Sequence, residues 1–388
     1  MKNIIFLGLV SFFADISAEM VYPIIPLYLS RTFGATPALV GLIEGIAESL
    51  ASLLKVFSGY LTDRFKRKKP LAFIGYATGV FYKLALVFAG SWTGILGARV
   101  IDRLGKGLRT SPRDVMVAQS AQENGLGRAF GVHKALDMAG AALGIMLSAV
   151  LIGRARDTAA YRQVFLWSMI PAALALGMFA FIREKQASGQ LKPRERFWQG
   201  VRQLDGQLKL YLAVATVFTL GNSSNAFLLL RAYSLGFDSV QTIWLYFIYN
   251  LIASLLSIPL GGLSDRVGRK RLLVGGYSLF ALAYLGFGLA QNAWQLIASF
   301  VLYGVYTAMT TGVERAFIAQ IAPQNLKGTM LGLHGTLVGV ALLPASLIAG
   351  LLWNGLGPAA PFMLGAGLAI MAAFALGLLF RADGARAS

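Results

Sequence analysis

The sequence predicts an all-α integral membrane protein whose twelve transmembrane helices form two pseudo-symmetric six-helix bundles. Three observations carry this reading. Of 388 residues, 56% are apolar and only 13% charged, whereas a soluble domain carries about a quarter charged residues. The charges gather in short runs between apolar stretches of about 20 residues, the length that crosses a bilayer. The two halves also echo one another at an offset of 201 to 202 residues. A soluble enzyme is excluded.

The first span is placed near 3-30. Met1-Lys2 followed by an apolar run has the outline of a signal peptide, but Asp15 and Glu19 stand where its apolar core and cleavage site would be, so the segment is read as a retained helix. Helix two, 38-62, carries Glu44 and Glu48 and runs into the basic stretch from Arg64 to Lys69. Helix three is placed at 70-90, and helix four, at 92-117, bears the heaviest charge. Helix five, at 127-152, contains Gly140-Ala-Ala-Leu-Gly144, a small-xxx-small face suited to close helix contact. Helix six, at 162-182, closes the first half.

The most hydrophilic stretch, 183-209, follows with Arg183, Glu184, Lys185, Lys192, Arg194, Glu195 and Arg196. It divides the chain into an N-terminal bundle at 1-183, a cytoplasmic linker at 184-207 and a C-terminal bundle at 208-388. The remaining spans fall near 208-232, 239-264, 271-291, 293-321, 327-352 and 359-380.

The net charge of +18 arises from 35 basic and 17 acidic residues. Of the basic residues, 21 lie at the N-terminus, in even-numbered connections or in the tail; the other connections carry four, Arg31, Arg154, Arg156 and Arg162. Basic loops mark the cytoplasmic side, so both termini are expected inside, and the charge reports topology rather than nucleic-acid binding. With no cysteine there is no disulfide framework.

The internal echo is specific. Gly59-Tyr-Leu-Thr-Asp63-Arg64 returns as Gly261-Gly-Leu-Ser-Asp265-Arg266, and Ala118-Gln119, Gly127, Gly131 and His133 return as Ala319-Gln320, Gly328, Gly332 and His334. A six-helix repeat suggests two bundles rocking about a central site.

These residues resemble the major facilitator superfamily. Gly59 to Lys68 is similar to its signature loop between helices two and three, Gly261 to Arg271 to the copy between helices eight and nine, and Arg103-Leu-Gly-Lys-Gly107 to its helix-four signature. Lys66 stands where the first loop usually has glycine, which Gly268 keeps in the second, and Ile145 stands where antiporters of the family typically have proline. The stretch Gly105 to Asp114, with Glu314-Arg315, resembles a subgroup of bacterial permeases. The resemblance implies alternating access, and a coupling role for Arg103 beside a helix-one carboxylate. It also implies a cytoplasmic gate, for which Gly59, Asp63, Arg64, Arg67, Arg113, Asp114, Gly261, Asp265, Arg266, Arg269, Glu314 and Arg315 are the candidates.

The first half holds seven acids and eight bases within its spans, against Arg231, Glu314 and Arg315 in the second. Intramembrane charge is expensive, so near-cancellation suggests paired networks facing a bundle interior or a wet cavity. Asp15 and Glu19, Glu44 and Glu48, and His133 and Asp137 are each four apart and share helix faces, while Arg99, Arg103, Lys106, Arg109 and Arg113 form one basic stripe. A buried carboxylate beside an arginine is a credible proton carrier, so Asp15, Glu19, Glu44, Glu48 and Asp137, with Arg103, are the proton-coupling candidates. Aligning Ala14-Asp15 with Gly221-Asn222 sets a neutral residue opposite Asp15. Substrate contact is therefore expected from Asn222, Ser223, Ser224, Asn225 and Asn250, with Arg99 and Lys134.

No catalytic constellation, P-loop or metal-ligand spacing is present, so no enzyme activity, metal or cofactor is expected. With no nucleotide-binding segment, a gradient must drive transport. The expected function is proton-coupled efflux, by antiport, of organic or drug-like compounds across the bacterial inner membrane. The partners are a small-molecule substrate, protons and the bilayer, with the chain acting as a monomer. The alternatives are a proton symporter importing an organic anion and, from another class, an uncoupled lipid-moving protein.

Overall fold

The computed structural model describes residues 2-64, 68-120, 126-154, 159-184, 206-321 and 327-379, which are helical apart from short connections. The helices are α1 (Lys2–Val21), α2 (Ile24–Phe33), α3 (Pro37–Arg64), α4 (Lys69–Phe88), α5 (Trp92–Ser120), α6 (Leu126–Arg154) and α7 (Ala159–Met178), the last extended by a 3-10 turn at Phe179–Phe181. The second series is α8 (Gly206–Gly221), α9 (Ala226–Ser234), α10 (Ser239–Val267), α11 (Arg269–Leu289), α12 (Ala293–Ile321), α13 (Lys327–Leu356) and α14 (Ala360–Leu379). Among the described residues, eleven segments are long and apolar enough to cross a membrane, α1 with α2 and α8 with α9 each counting as one. The twelfth helix, α5, has the length, at 29 residues, but its charges keep it from being apolar enough.

Local chemistry sets the ends. Pro23 has no backbone N–H to donate, and the first span is interrupted there before continuing to Phe33, three residues beyond its predicted end. The seventh span is interrupted at 222-225, where Ser and Asn side chains compete for backbone hydrogen bonds; Ser224 Oγ accepts from the Ala226 amide at 3.3 Å. α2 and α9 begin 202 residues apart, and the later pairs of helices begin 200 to 202 apart. This register corrects one detail of the sequence reading: at an offset of 202, Asp15 corresponds in sequence to Val217, and Asn222 to Met20. The connection between α10 and α11 turns through Gly268 at φ 99°, a left-handed conformation that favours glycine.

One compact unit comprises Met1–Thr36, Ile46–Leu191 and Phe237–Phe247. Within it α1 packs on α6 and α7, and α4 packs on α5 and α7. The α1–α6 contact is backbone to backbone. A Cβ on Gly140 would lie 3.0 Å from Phe12 Cα, and one on Gly144 would lie 3.0 Å from Ile16 Cα, so the small-xxx-small face does what its spacing implied. α4 and α5 meet as closely, Gly75 against the Arg109 backbone and Gly105 against Thr78. Ile4, Leu7, Val10, Tyr76, Met116 and Phe179 are part of a buried core that these helices share.

The other unit comprises Pro37–Gly45, Lys192–Gly236 and Ile248–Ser388. Here α8 packs on α13 and α14, and α11 packs on α12 and α14, the repeat of the first unit's scheme. Its core is aromatic: Phe218 stacks on Tyr277 at 3.9 Å and Phe280 on Tyr284 at 3.9 Å.

Candidate functional site

α5 gathers the charges of the first unit, and the helix spacing that lines up its bases also lets Asp102 reach them. Arg103 donates to Glu48 on α3 at 3.0 Å and lies 3.6 Å from Asp102, which is 3.8 Å from Arg99. Arg99 is 1% exposed and stands over the ring of Tyr22 at 5.5 Å. In a medium where each bare charge is costly, these are the neutralised pairs that the near-balance of signs required. Arg103, expected beside a helix-one carboxylate, makes its ion pairs with Glu48 and Asp102, with Glu19 inside its electrostatic reach. Tyr246 of α10 lies near enough to Glu19 to act on its carboxyl.

Three turns deeper along α5, a second group forms. Asp15 of α1 and Asp137 of α6 are near enough to act on one another electrostatically, and Asp137 accepts from Lys134 Nζ at 2.7 Å. The close α1–α6 contact through Gly140 and Gly144 brings these two carboxyls together. Two ionised carboxylates held this close repel, and a proton on one of them removes the repulsion. Arg109 and Arg113 act electrostatically on Asp15. Arg113 donates to its neighbour Asp114 at 2.9 to 3.0 Å, and Arg109 lies over the face of Tyr76 at 4.5 Å, a cation–π contact. The Lys134 side chain is 66% exposed, so its hold on Asp137 is exchangeable. Glu44 is buried in the second unit's share of α3.

The polar residues of the seventh span fall at its interruption. Asn225 donates to Tyr249 at 2.9 Å and accepts from Tyr303 at 2.8 Å, and Asn222 donates to Tyr306 at 3.1 Å. Ser224 is buried, and its amide donates to Ser346 at 3.2 Å. Asn250 is half-buried on α10.

Of the gate candidates, the side chains of Asp63, Arg64 and Asp265, and Arg67 altogether, lie outside the described residues; Gly59 and Gly261 are helical, and Arg266 is exposed. Arg269 donates to the Ala316 carbonyl and to Gln320, both at 3.3 Å. Glu314 accepts from Tyr277 at 3.1 Å, and Arg315 is exposed.

Two roles escaped sequence reasoning. Arg231 donates to the carbonyls of Phe287, Gly288 and Ala290 at 2.8 to 3.1 Å, closing the C-terminal end of α11. Glu184 accepts from the amides of Lys68 and Lys69 at the start of α4, where a carboxylate complements the helix dipole. Neither partner lies close in sequence, so no local pattern announces it.

Two series of spanning helices in a repeated scheme, with an ionisable interior in one of them, define a multi-pass membrane carrier. The sequence profile of the Major Facilitator Superfamily matches residues 7-221 and 210-388. An uncharacterized MFS-type transporter of Methanocaldococcus jannaschii is 35% identical over 381 residues, covering 97% of this chain and 94% of that one. The methyl viologen resistance protein SmvA of Salmonella typhimurium is 32% identical over 120 residues, 31% of this chain and 24% of that protein. Among solved structures, the nucleoside transporter NupG superposes with a TM-score of 0.84 at 13% identity, covering 98% of this chain and 100% of that one. The chain belongs to the Major Facilitator Superfamily and is a small-molecule transporter of the membrane.

Proposed function

We propose that this transporter is a proton-coupled antiporter that exports organic compounds across the cytoplasmic membrane by alternating access, acting as a monomer with both termini inside. The observation that carries the reading is the proximity of Asp15 and Asp137. With a proton on one of them, the two carboxyls hold one charge, which Lys134 balances at 2.7 Å. Without it they repel, and Arg109 and Arg113 become the available counter-ions. A helix rearrangement that exchanges these partners converts proton loss into motion. The neutral Asn222 and Asn225, anchored on tyrosines, suit hydrogen bonding to a substrate. Asp63 and Asp265, with Arg113-Asp114 and Glu314-Arg315, are assigned to closing the cytoplasmic face. Export as the direction draws support from the similarity to a methyl viologen resistance protein over about a third of the chain.

A second reading, proton symport with an organic anion, is favoured by one feature: among the described residues, Lys83 and Arg109 make no ion pair within 4.0 Å.

The test is purified protein in liposomes containing a pH-sensitive dye, screened against organic cations, neutral drugs and carboxylates. Antiport predicts proton flow opposite to the substrate, with Asp15→Asn and Asp137→Asn losing proton-driven accumulation by at least tenfold while still exchanging substrate at equal concentrations. Protons moving with the substrate would establish symport instead. Undiminished accumulation in both variants would overturn proton handling by this pair.

A further inference from the structure

The close packing of α4 on α5 sets Gly79 beneath the ends of two basic side chains. The point where a Cβ on Gly79 would sit is 3.8 Å from Lys83 Nζ and 3.9 Å from Arg109 Nη1, and beyond the chain neighbours and the local α4 backbone no other described atom comes within 4 Å. Lys83 is one helical turn along α4 and 2% exposed. Arg109 is brought across by the Gly75 contact, its guanidinium resting on Tyr76 at 4.5 Å. Two cations thus face one small space inside the membrane. The acids acting on Lys83 do so from a distance, Asp102 on α5 and Asp15 on α1, and neither is within ion-pair range of it among the described residues. Arg103, by contrast, has a carboxylate at 3.0 Å.

We propose that the gap between Lys83 and Arg109 is a binding site for a small monoanion, a halide or a carboxylate group, seated where Gly79 leaves room for it. The physical case is direct. Like charges converging in a poorly solvated interior repel, and each retains hydrogen-bond donors; a single anion accepting from both satisfies the donors and cancels the repulsion. A carboxylate suits a guanidinium fork facing an ammonium. The occupant is either a free ion or the acidic group of a transported compound, and the recognising chemistry is the same. Asp15 is the natural competitor, because it acts electrostatically on Lys83 and is itself acted on by Arg109. An anion therefore binds more tightly when Asp15 is uncharged. The site does not depend on the direction of coupling: binding is measured without any gradient, so its failure leaves the Asp15–Asp137 reading untouched.

The experiment is isothermal titration of the purified full-length protein with chloride, bromide, formate and acetate, using a bulky sulfonate as the background anion. One saturable site is expected. Lys83→Gln should weaken it at least tenfold, and Asp15→Asn should tighten it severalfold. Gly79→Ala guards against misfolding: its methyl meets nothing closer than 3.8 Å, so the fold tolerates it and both cations remain, but the gap is filled and affinity should fall at least tenfold. Comparable binding of halides and carboxylates identifies a free-ion site, and binding of carboxylates alone identifies an acidic group on the ligand. Absence of saturable binding by all four anions, or wild-type affinity in a folded Gly79→Ala protein, would overturn the proposal.

Discussion

Arg231 shows how a charge inside the membrane is used when it does not belong to the transport machinery. It sits in α9 with its side chain buried, and its guanidinium donates to three carbonyls at the end of α11, 56 to 59 residues away in sequence. Carbonyls at a helix C-terminus have no intrahelical partner, and in lipid no water replaces one. At about 1.5 to 3 kcal/mol for a hydrogen bond to a charged group, Arg231→Leu should destabilise the protein by about 2 to 4 kcal/mol. The expected result is a clear fall in thermal unfolding midpoint in detergent; an unchanged midpoint would show that the carbonyls find other partners. Arg231→Lys should recover only part of the loss, since an ammonium cannot reproduce the fork. From the sequence alone this arginine is an intramembrane charge like the others, because nothing local distinguishes a cap from a coupling residue. The same holds for Arg103. Its helical spacing shows which face it shares, but not that it pairs with Glu48 on α3.

At the scale of the helix, what was legible depended on whether the signal lay within one element. Gly140 and Gly144 announce a contact face by their spacing, and the structure places them on the backbone of Phe12 and Ile16. Gly75 and Gly79 have the same spacing on α4, yet glycine in an apolar helix reads alike whether it faces lipid or a neighbour. Only the structure shows Gly75 against Arg109, and Gly79 beneath two cations. Register across elements was the weaker inference. Matching Asp15 to Asn222 by local similarity departs by five residues from the offset of 202 between α2 and α9, and the later pairs of helices start 200 to 202 apart. The α1–α6 contact carries its own prediction. A side chain at Gly144 has nowhere to go but into the Ile16 backbone, so Gly144→Val should cost at least the 1 to 3 kcal/mol typical of overpacking, with a matching loss of monodisperse protein on size exclusion. Gly177→Ala on α7, where a Cβ meets nothing within 4 Å, is the control and should be neutral or stabilising. Equal yields from the two variants would show that α1 and α6 can separate without cost.

For the whole molecule, the distribution of charge decides orientation. The first half concentrates its ionisable residues inside the spans while the second is nearly free of them, an asymmetry within a repeat that otherwise holds element by element. Outside the spans the bias runs along the membrane normal: 21 basic residues at the N-terminus, in even-numbered connections and in the tail, against four in the other connections. Lys and Arg near short loops resist translocation, and they set topology more strongly than Asp and Glu do. Five basic residues follow Asp63 within the stretch 64-69, four lie between Arg266 and Arg271, and seven between Arg183 and Lys209; these three connections are of one parity and must share a side. Twelve spans then return the C-terminus to the side of the N-terminus. Fusion of a reporter active only in the cytoplasm at residue 195 and at the C-terminus should give full signal. A fusion within 154-158, between the fifth and sixth spans, should give signal only from a reporter active outside. Signal inside at 154-158 would mean that α5, the helix too charged to be called apolar, does not cross the membrane, and that every span after it is inverted. An extracellular signal at 195 would contradict the charge rule itself.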